Sequence, residues 1–168
     1  MERIENPARR RLFRGKIQNK QVLRLPWVIS EKGFTDNCTQ CKKCIDACET
    51  HIIVRDDLGF PNIDFSLGEC TFCQKCLQIC DEPLFKTTEQ KPWPIELAIN
   101  DKCLAKNDIY CQSCRDECEI EAINFSYFVS GKTSSIPQPT IITDDCTQCG
   151  ACISSCPQDA IKISFLNT

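Results

Sequence analysis

A small α+β chain, built from repeats and held together by something other than an apolar core, is the fold class that this 168-residue sequence predicts. Three observations carry that expectation. Sixteen residues are cysteine, a density that marks either a disulfide scaffold or a metal-binding protein. The cysteines recur in groups of four, and short strand-like runs follow the groups. With cysteine set aside, only about a third of the chain is apolar, which is thin support for 19.1 kDa.

The spacing of the cysteines names the chemistry. The first quartet is Cys38-x2-Cys41-x2-Cys44-x3-Cys48, and Cys70, Cys73, Cys76 and Cys80 repeat it. Cys146, Cys149, Cys152 and Cys156 repeat it again and add Pro157. The third quartet, Cys103-x7-Cys111-x2-Cys114-x3-Cys118, has its first member displaced by five residues. Three closely spaced thiolates can wrap one face of an iron–sulfur cubane, while the fourth opens a short helix pointing away and ligates the neighbouring cluster. Disulfides fit poorly, because neighbours at x2 spacing on one loop cannot easily reach the required geometry. Four-cysteine zinc sites bring together two CxxC pairs rather than triplets.

The fold expectation sharpens accordingly to tandem bacterial 2[4Fe-4S] ferredoxin-like modules, small and cluster-stabilised, carrying four [4Fe-4S] clusters. Ligand exchange assigns Cys38, Cys41, Cys44 and Cys80 to one cluster and Cys70, Cys73, Cys76 and Cys48 to its partner. In the second half it groups Cys146, Cys149, Cys152 and Cys118, and separately Cys103, Cys111, Cys114 and Cys156. The alternative for the last group is a buried free thiol at Cys103, leaving three filled clusters. Four oxidised clusters would add a charge of about −8. Without iron, most of the chain should be unfolded.

Other chemistries drop out. No GxGxxG or P-loop fingerprint can be assembled from six glycines, and no CxxC pair is followed by histidine. A single histidine, His51, argues against His-based zinc sites and against nucleophilic triads, so no catalytic residue is assigned and no enzyme is expected. His51 reads as a surface residue. The longest mostly apolar uncharged stretch, 122–131, is too short to span a bilayer.

Along the chain, the run His51 to Val54 leads through Asp56-Asp57-Leu58-Gly59 into Phe60 to Phe65, a hairpin before the second quartet. Leu84 to Lys86 follow that quartet. Ala122 to Phe125 and Thr140 to Ile142 flank a loop rich in Ser, Gly and Pro at 130–139, and Ala160 to Ile163 close the chain. The halves divide near Thr87 to Pro94. The predicted units are a basic arm at 1–27 and cluster modules at 28–58, 59–90, 95–128 (irregular) and 136–168. Trp27 and Trp93, both beside proline, read as packing anchors, and Tyr110 as a candidate shield over a cluster.

Charge is unevenly spread. Residues 1–25 carry eight Arg or Lys against Glu2 and Glu5, a net +6, whereas 26–168 carry a net −9. Arg9-Arg10-Arg11-Leu12-Phe13-Arg14 has the look of a twin-arginine export signal, but Gly15 to Arg24 is polar and basic where an apolar stretch is needed. The expectation is a cytoplasmic protein. The arm is read either as a solvated segment or as a docking arm, through Arg9, Arg10, Arg11 and Arg14, for an acidic partner surface. The acidic body argues against nucleic acid as a partner.

The four quartets, the Cys103-x7-Cys111 irregularity, the Ala8-Arg9-Arg10-Arg11-Leu12 start and Pro26-Trp27 before the first quartet together resemble the NapF family of bacterial ferredoxin-type proteins. The resemblance covers essentially the whole chain. It implies a cytoplasmic iron–sulfur protein with no turnover of its own. It further implies action on the catalytic molybdenum subunit of periplasmic nitrate reductase before export, helping to install or protect its iron–sulfur cluster. All sixteen cysteines would then be ligands. Simple electron transfer between a reductase and a terminal enzyme is the alternative, with a redox sensor ranked third. One departure from the ferredoxin pattern is that Cys48, Cys80 and Cys118 precede Glu49, Asp81 and Glu119 instead of proline, which should lower cluster potentials or labilise the clusters.

Overall fold

Each half of the chain is organised by one hairpin and by a pairing of its first and last segments. The computed structural model describes residues 22–129 and 131–166. In the first half, β1 (Ile53–Arg55) pairs antiparallel with β2 (Pro61–Ile63), Ile53 opposite Ile63. The turn between them is set by Asp56, whose carboxylate accepts from the Leu58 and Phe60 amides at 2.8 and 3.0 Å. Gly59 supplies the left-handed residue at φ 89°. The ends of this half meet at an antiparallel bridge between Val28 and Phe85.

The second half repeats the plan with longer strands. β3 (Ile95–Ile99) pairs antiparallel with β6 (Ile161–Phe165), first strand against last. β4 (Ile123–Val129) and β5 (Lys132–Ile141) form the hairpin. The stretch 130–139, which the sequence marks as a loop, is therefore largely strand. Its prolines are compatible because a two-stranded ribbon has only edges, where a missing N–H breaks no central ladder. Pro139 sits opposite Phe125, and a bulge between Ser126 and Phe128 absorbs the irregularity.

The helices are short. α1 (Glu31–Asn37) starts at Ser30, whose hydroxyl accepts from the Gly33 amide at 3.0 Å, and it buries only Phe34. α2 (Lys43–Asp46), α3 (Lys75–Gln78), α4 (Ser113–Asp116) and α5 (Ala151–Ser154) are single turns, each holding the third cysteine of its quartet. α2 packs on α3, and α4 on α5.

The apolar core is unequal between the halves. One cluster joins Leu23, Leu25, Phe34, Ile52, Ile53, Phe60, Ile63, Phe65, Leu84, Trp93 and Ile95. The other holds only Ile123, Cys152 and Ile161 as fully buried members. Leu97 and Ile153 pack against both.

The segment from residue 22 to Trp27, which by charge alone belongs to the end of the basic arm, is part of this core. Leu23 accepts a backbone hydrogen bond from Ile63 at 2.8 Å, extending the first hairpin. Arg24, 6% exposed, is held by Glu31, by Asp56 at 2.9 Å and by the Pro61 carbonyl, over the faces of Phe34 and Phe60. Trp27 and Trp93 are both buried, and their indole N–H groups donate to the carbonyls of Gln90 and Arg24, each at 2.8 Å. Arg9, Arg10, Arg11 and Arg14 lie outside the described residues.

Candidate functional site

The three regular quartets share one backbone path. In each, the residue before the second cysteine and the residue after it are left-handed: Gln40 and Lys42, Phe72 and Gln74, Gln148 and Gly150. Left-handed residues on both sides of that cysteine curl the chain around the thiols instead of letting it extend. The third quartet takes another route. A short 3-10 turn (Ala105–Asn107) follows Cys103, and left-handed Asp108 closes it. The Asn107 amide donates to the carbonyls of Asp101 and Cys103 at 2.7 and 2.8 Å, Lys106 donates to the Ile99 carbonyl at 2.6 Å, and the Ser135 hydroxyl donates to Asp108 at 2.7 Å. The extra residues loop out on a tied excursion that returns Cys111 to the side of Cys103.

Four hollows result, each with four cysteines in its wall. Cys38, Cys41, Cys44 and Cys80 line the first, of about 660 Å³. Cys48, Cys70, Cys73 and Cys76 line the second, of about 400 Å³. Cys118, Cys146, Cys149 and Cys152 line the third, about 340 Å³, and Cys103, Cys111, Cys114 and Cys156 the fourth, about 360 Å³. Each hollow takes three cysteines from one quartet and one from the adjacent quartet. Much of the remaining wall is apolar: Leu25, Phe34 and Leu84 in the first hollow, Ile99, Phe125 and Ile161 in the fourth. Tyr110 is not among the lining residues and is 69% exposed.

No cysteine is in a disulfide. Among the described residues, no three Cys, His, Asp or Glu side chains form a group able to hold a single metal ion. Thiols spread around the wall of a hollow suit a polynuclear iron–sulfur group, which needs one ligand at each of several corners. The donor set fits that group.

Burial makes the inner thiols hard to ionise by themselves. It pushes Cys44, Cys70 and Cys114 up to about 11, and Cys76 and Cys152 up to about 12, with neighbouring cysteines adding to the effect. Cys41, near the surface, is lowered instead, chiefly by the Lys43 amide and then by the Thr39 hydroxyl. Buried thiols of this kind keep their protons until a cationic iron replaces them.

The fourth cysteine of each quartet has its own support. Left-handed residues three positions on, His51, Glu121 and Asp159, turn the chain back after Cys48, Cys118 and Cys156. After the latter two, the Ala122 and Ala160 amides donate to the sulfurs at 3.3 Å. Thr50 Oγ1 lies 3.6 Å from Cys48 Sγ. Cys80 differs because Pro83 occupies the turn position and cannot be left-handed. The Leu84 amide goes to the Glu82 carbonyl at 2.8 Å, and that same carbonyl faces Cys80 Sγ at 3.8 Å.

The carboxylates that replace proline after Cys48 and Cys80 are not isolated charges. Lys75 pairs with Glu49, and Lys43 pairs with Asp81 at 2.6 Å, each lysine coming from the one-turn helix of the quartet that supplies the same hollow. The motif spacing singles out the carboxylates but not these lysines, although both stand between the second and third cysteines of their quartets.

The chain is similar to known iron–sulfur proteins. Residues 37–84 match the 4Fe-4S dicluster domain family and residues 139–162 the 4Fe-4S binding domain family. The third quartet lies outside both matches. The ferredoxin-type protein NapF of Haemophilus influenzae is 40% identical over 97% of both chains, and that of Escherichia coli K12 is 38% identical over 86% of both. A component of an ion-translocating oxidoreductase complex from Methanosarcina acetivorans is 32% identical over 80% of this chain and 49% of its own length. No solved structure matches. On identity, coverage and cysteine pattern together, the chain belongs to the NapF family of ferredoxin-type iron–sulfur proteins.

Proposed function

We propose that each four-thiol hollow holds one [4Fe-4S] cluster, so that the chain is a polyferredoxin of two ferredoxin-like modules in tandem. The ligand sets are those of the hollows, with Cys103 a ligand of the fourth cluster. The observation that carries this reading is the division of all sixteen cysteines into four hollows of four. The clusters supply one-electron storage when bound. The protein excludes water with its apolar walls and directs amide dipoles at the sulfurs of Cys118 and Cys156. Anaerobic reconstitution should give about sixteen iron and sixteen sulfide per chain, and a value near twelve would empty one site.

The role that best fits family membership is assistance, in the cytoplasm, to the maturation of the catalytic molybdenum subunit of periplasmic nitrate reductase before its export, without turnover. Arg9, Arg10, Arg11 and Arg14 are proposed as the docking arm. The test is an anaerobic pull-down with this chain as bait. Retention of the signal-bearing precursor in preference to mature enzyme supports maturation. Failure to retain it, with clusters intact and reversibly reducible, leaves simple electron transfer, a reading favoured by the likeness to a component of an oxidoreductase complex. Replacing Arg9, Arg10 and Arg11 with Ala should weaken retention without changing iron content, and unchanged binding at low salt would remove the arm from the account.

A further inference from the structure

The halves meet where the second hollow faces the third. The Cys70 amide donates to the Cys149 carbonyl at 2.8 Å, and these two cysteines line different hollows. Next to Cys149, Gly150 receives the ring of Phe65 from the first half so closely that a Cβ would lie 2.1 Å from Cδ1. Left-handed backbone alone does not require glycine there, since Lys42 and Gln74 hold the corresponding positions at φ 72° and 60°. The contact requires it. Phe65 is in turn fixed edge-on to Trp93, ring centroids 5.5 Å apart.

Within each half a second pair of thiols joins adjacent hollows. The α2–α3 contact joins the turn that carries Cys44 of the first hollow to the turn that carries Cys76 of the second, and the α4–α5 contact joins the turns that carry Cys114 of the fourth and Cys152 of the third. The sites thus run in single file: first hollow, Cys44–Cys76, second hollow, Cys70–Cys149, third hollow, Cys152–Cys114, fourth hollow.

We propose that the Cys70–Cys149 peptide contact is the electron crossing that joins the two halves into one four-centre relay, with Phe65 and Gly150 as the positioning pair that holds it closed. The inference rests on the cluster assignment above. With clusters in the second and third hollows, one electron would pass from the group held by Cys70 to the group held by Cys149, the first going from 1+ to 2+ and the second from 2+ to 1+. No proton moves and no covalent bond forms or breaks. A low-potential one-electron donor outside the chain supplies the electron at one end of the file, and a one-electron acceptor removes it at the other.

The test uses the reconstituted full chain, with iron and sulfide content measured first, so that an empty site is seen as missing iron and not as a failed crossing. In the fully reduced protein, electron paramagnetic resonance should show spin coupling both within and between the halves. Gly150→Ala should lose the coupling between halves while retaining it within them. The same variant should slow the spread of a single electron, delivered by a viologen radical, from one half to the other. Gly150→Ala/Phe65→Leu, which makes room for the added Cβ, should restore both. Two magnetically independent halves in the iron-replete wild type, or unchanged inter-half transfer in Gly150→Ala, would overturn the proposal. If Gly150→Ala does not retain iron, the wild-type spectrum decides alone.

Discussion

The two halves use the same cysteine plan with very different amounts of apolar support. The first packs Leu25, Phe34, Ile52, Phe60, Phe65, Leu84 and Trp93 around its hollows and pins the segment before α1 through buried Arg24. The second contributes Ile95 to that same core, adds a smaller cluster of Ile123, Cys152 and Ile161, and puts its residues into longer strands. The first half also latches each exchanged cysteine with an exposed ion pair, Lys43 to Asp81 and Lys75 to Glu49. In the second half, Ser113 and Ala151 stand at the positions of those lysines, and amide-to-sulfur bonds at Cys118 and Cys156 do that work. One arrangement of thiols can therefore be held by side-chain packing or by backbone hydrogen bonding, and the halves should fail differently.

Iron removal should separate them most. Chelation is expected to abolish most of the far-UV circular dichroism, because sixteen free thiols cannot replace cluster cross-links. Hydrogen exchange on the iron-free chain should retain some protection around Phe34 and Phe60 and none around Ile123 and Ile161. Equal loss in both regions would erase the distinction. Next in size, Cys103→Ser should lower iron by about four per chain and leave the first half's spectrum intact. No change in iron would make Cys103 a structural thiol.

Arg24→Ala removes the guanidinium partner of the partly buried Asp56 together with its packing on Phe34 and Phe60, and should cost the first half about 3 kcal/mol. Urea unfolding of the iron-loaded protein, followed by Trp27 and Trp93, reports on that half directly, and a cost below about 1 kcal/mol would place Arg24 among ordinary surface pairs. The smallest effect is expected from Pro83→Asn. Asparagine tolerates the left-handed turn found after Cys48, Cys118 and Cys156. It should free the Leu84 amide from Glu82 for Cys80 and raise one reduction potential slightly in protein-film voltammetry. A downward shift would show that the Glu82 carbonyl is not the dominant neighbour of that sulfur.

Much of this is legible in sequence because ligand spacing is local. The quartets and the hairpin between Ile53 and Ile63 depend on residues close in the chain or on one strong motif, and the prolines beside Trp27 and Trp93 mark these two as anchors although their partners lie far away. β3 is not legible, because Ile95 to Ile99 gains its identity from β6, more than sixty residues away. β5 is hidden by Pro137 and Pro139, whose usual meaning as breakers fails in a ribbon that has only edges. Arg24 reads as part of the arm because its charge matches that of the residues before it. Only the folded chain brings Glu31 and Asp56 to either side of it. The path of the third quartet is also out of reach, since the bonds that tie its excursion run to Ile99 and Ser135.

Interleaved hollows also set a timetable for synthesis. The first hollow is incomplete until Cys80 has been made, although its other three cysteines are in place by Cys44. The third hollow starts with Cys118, and the fourth is closed only by Cys156. On the ribosome, then, the first pair of sites can be finished while the second pair is still emerging. A nascent chain halted before Cys80 would expose three thiols to oxidants with no fourth ligand to complete the site. Supplying iron late, after the chain is released, would leave all four sites open for longer than supplying it as each pair emerges.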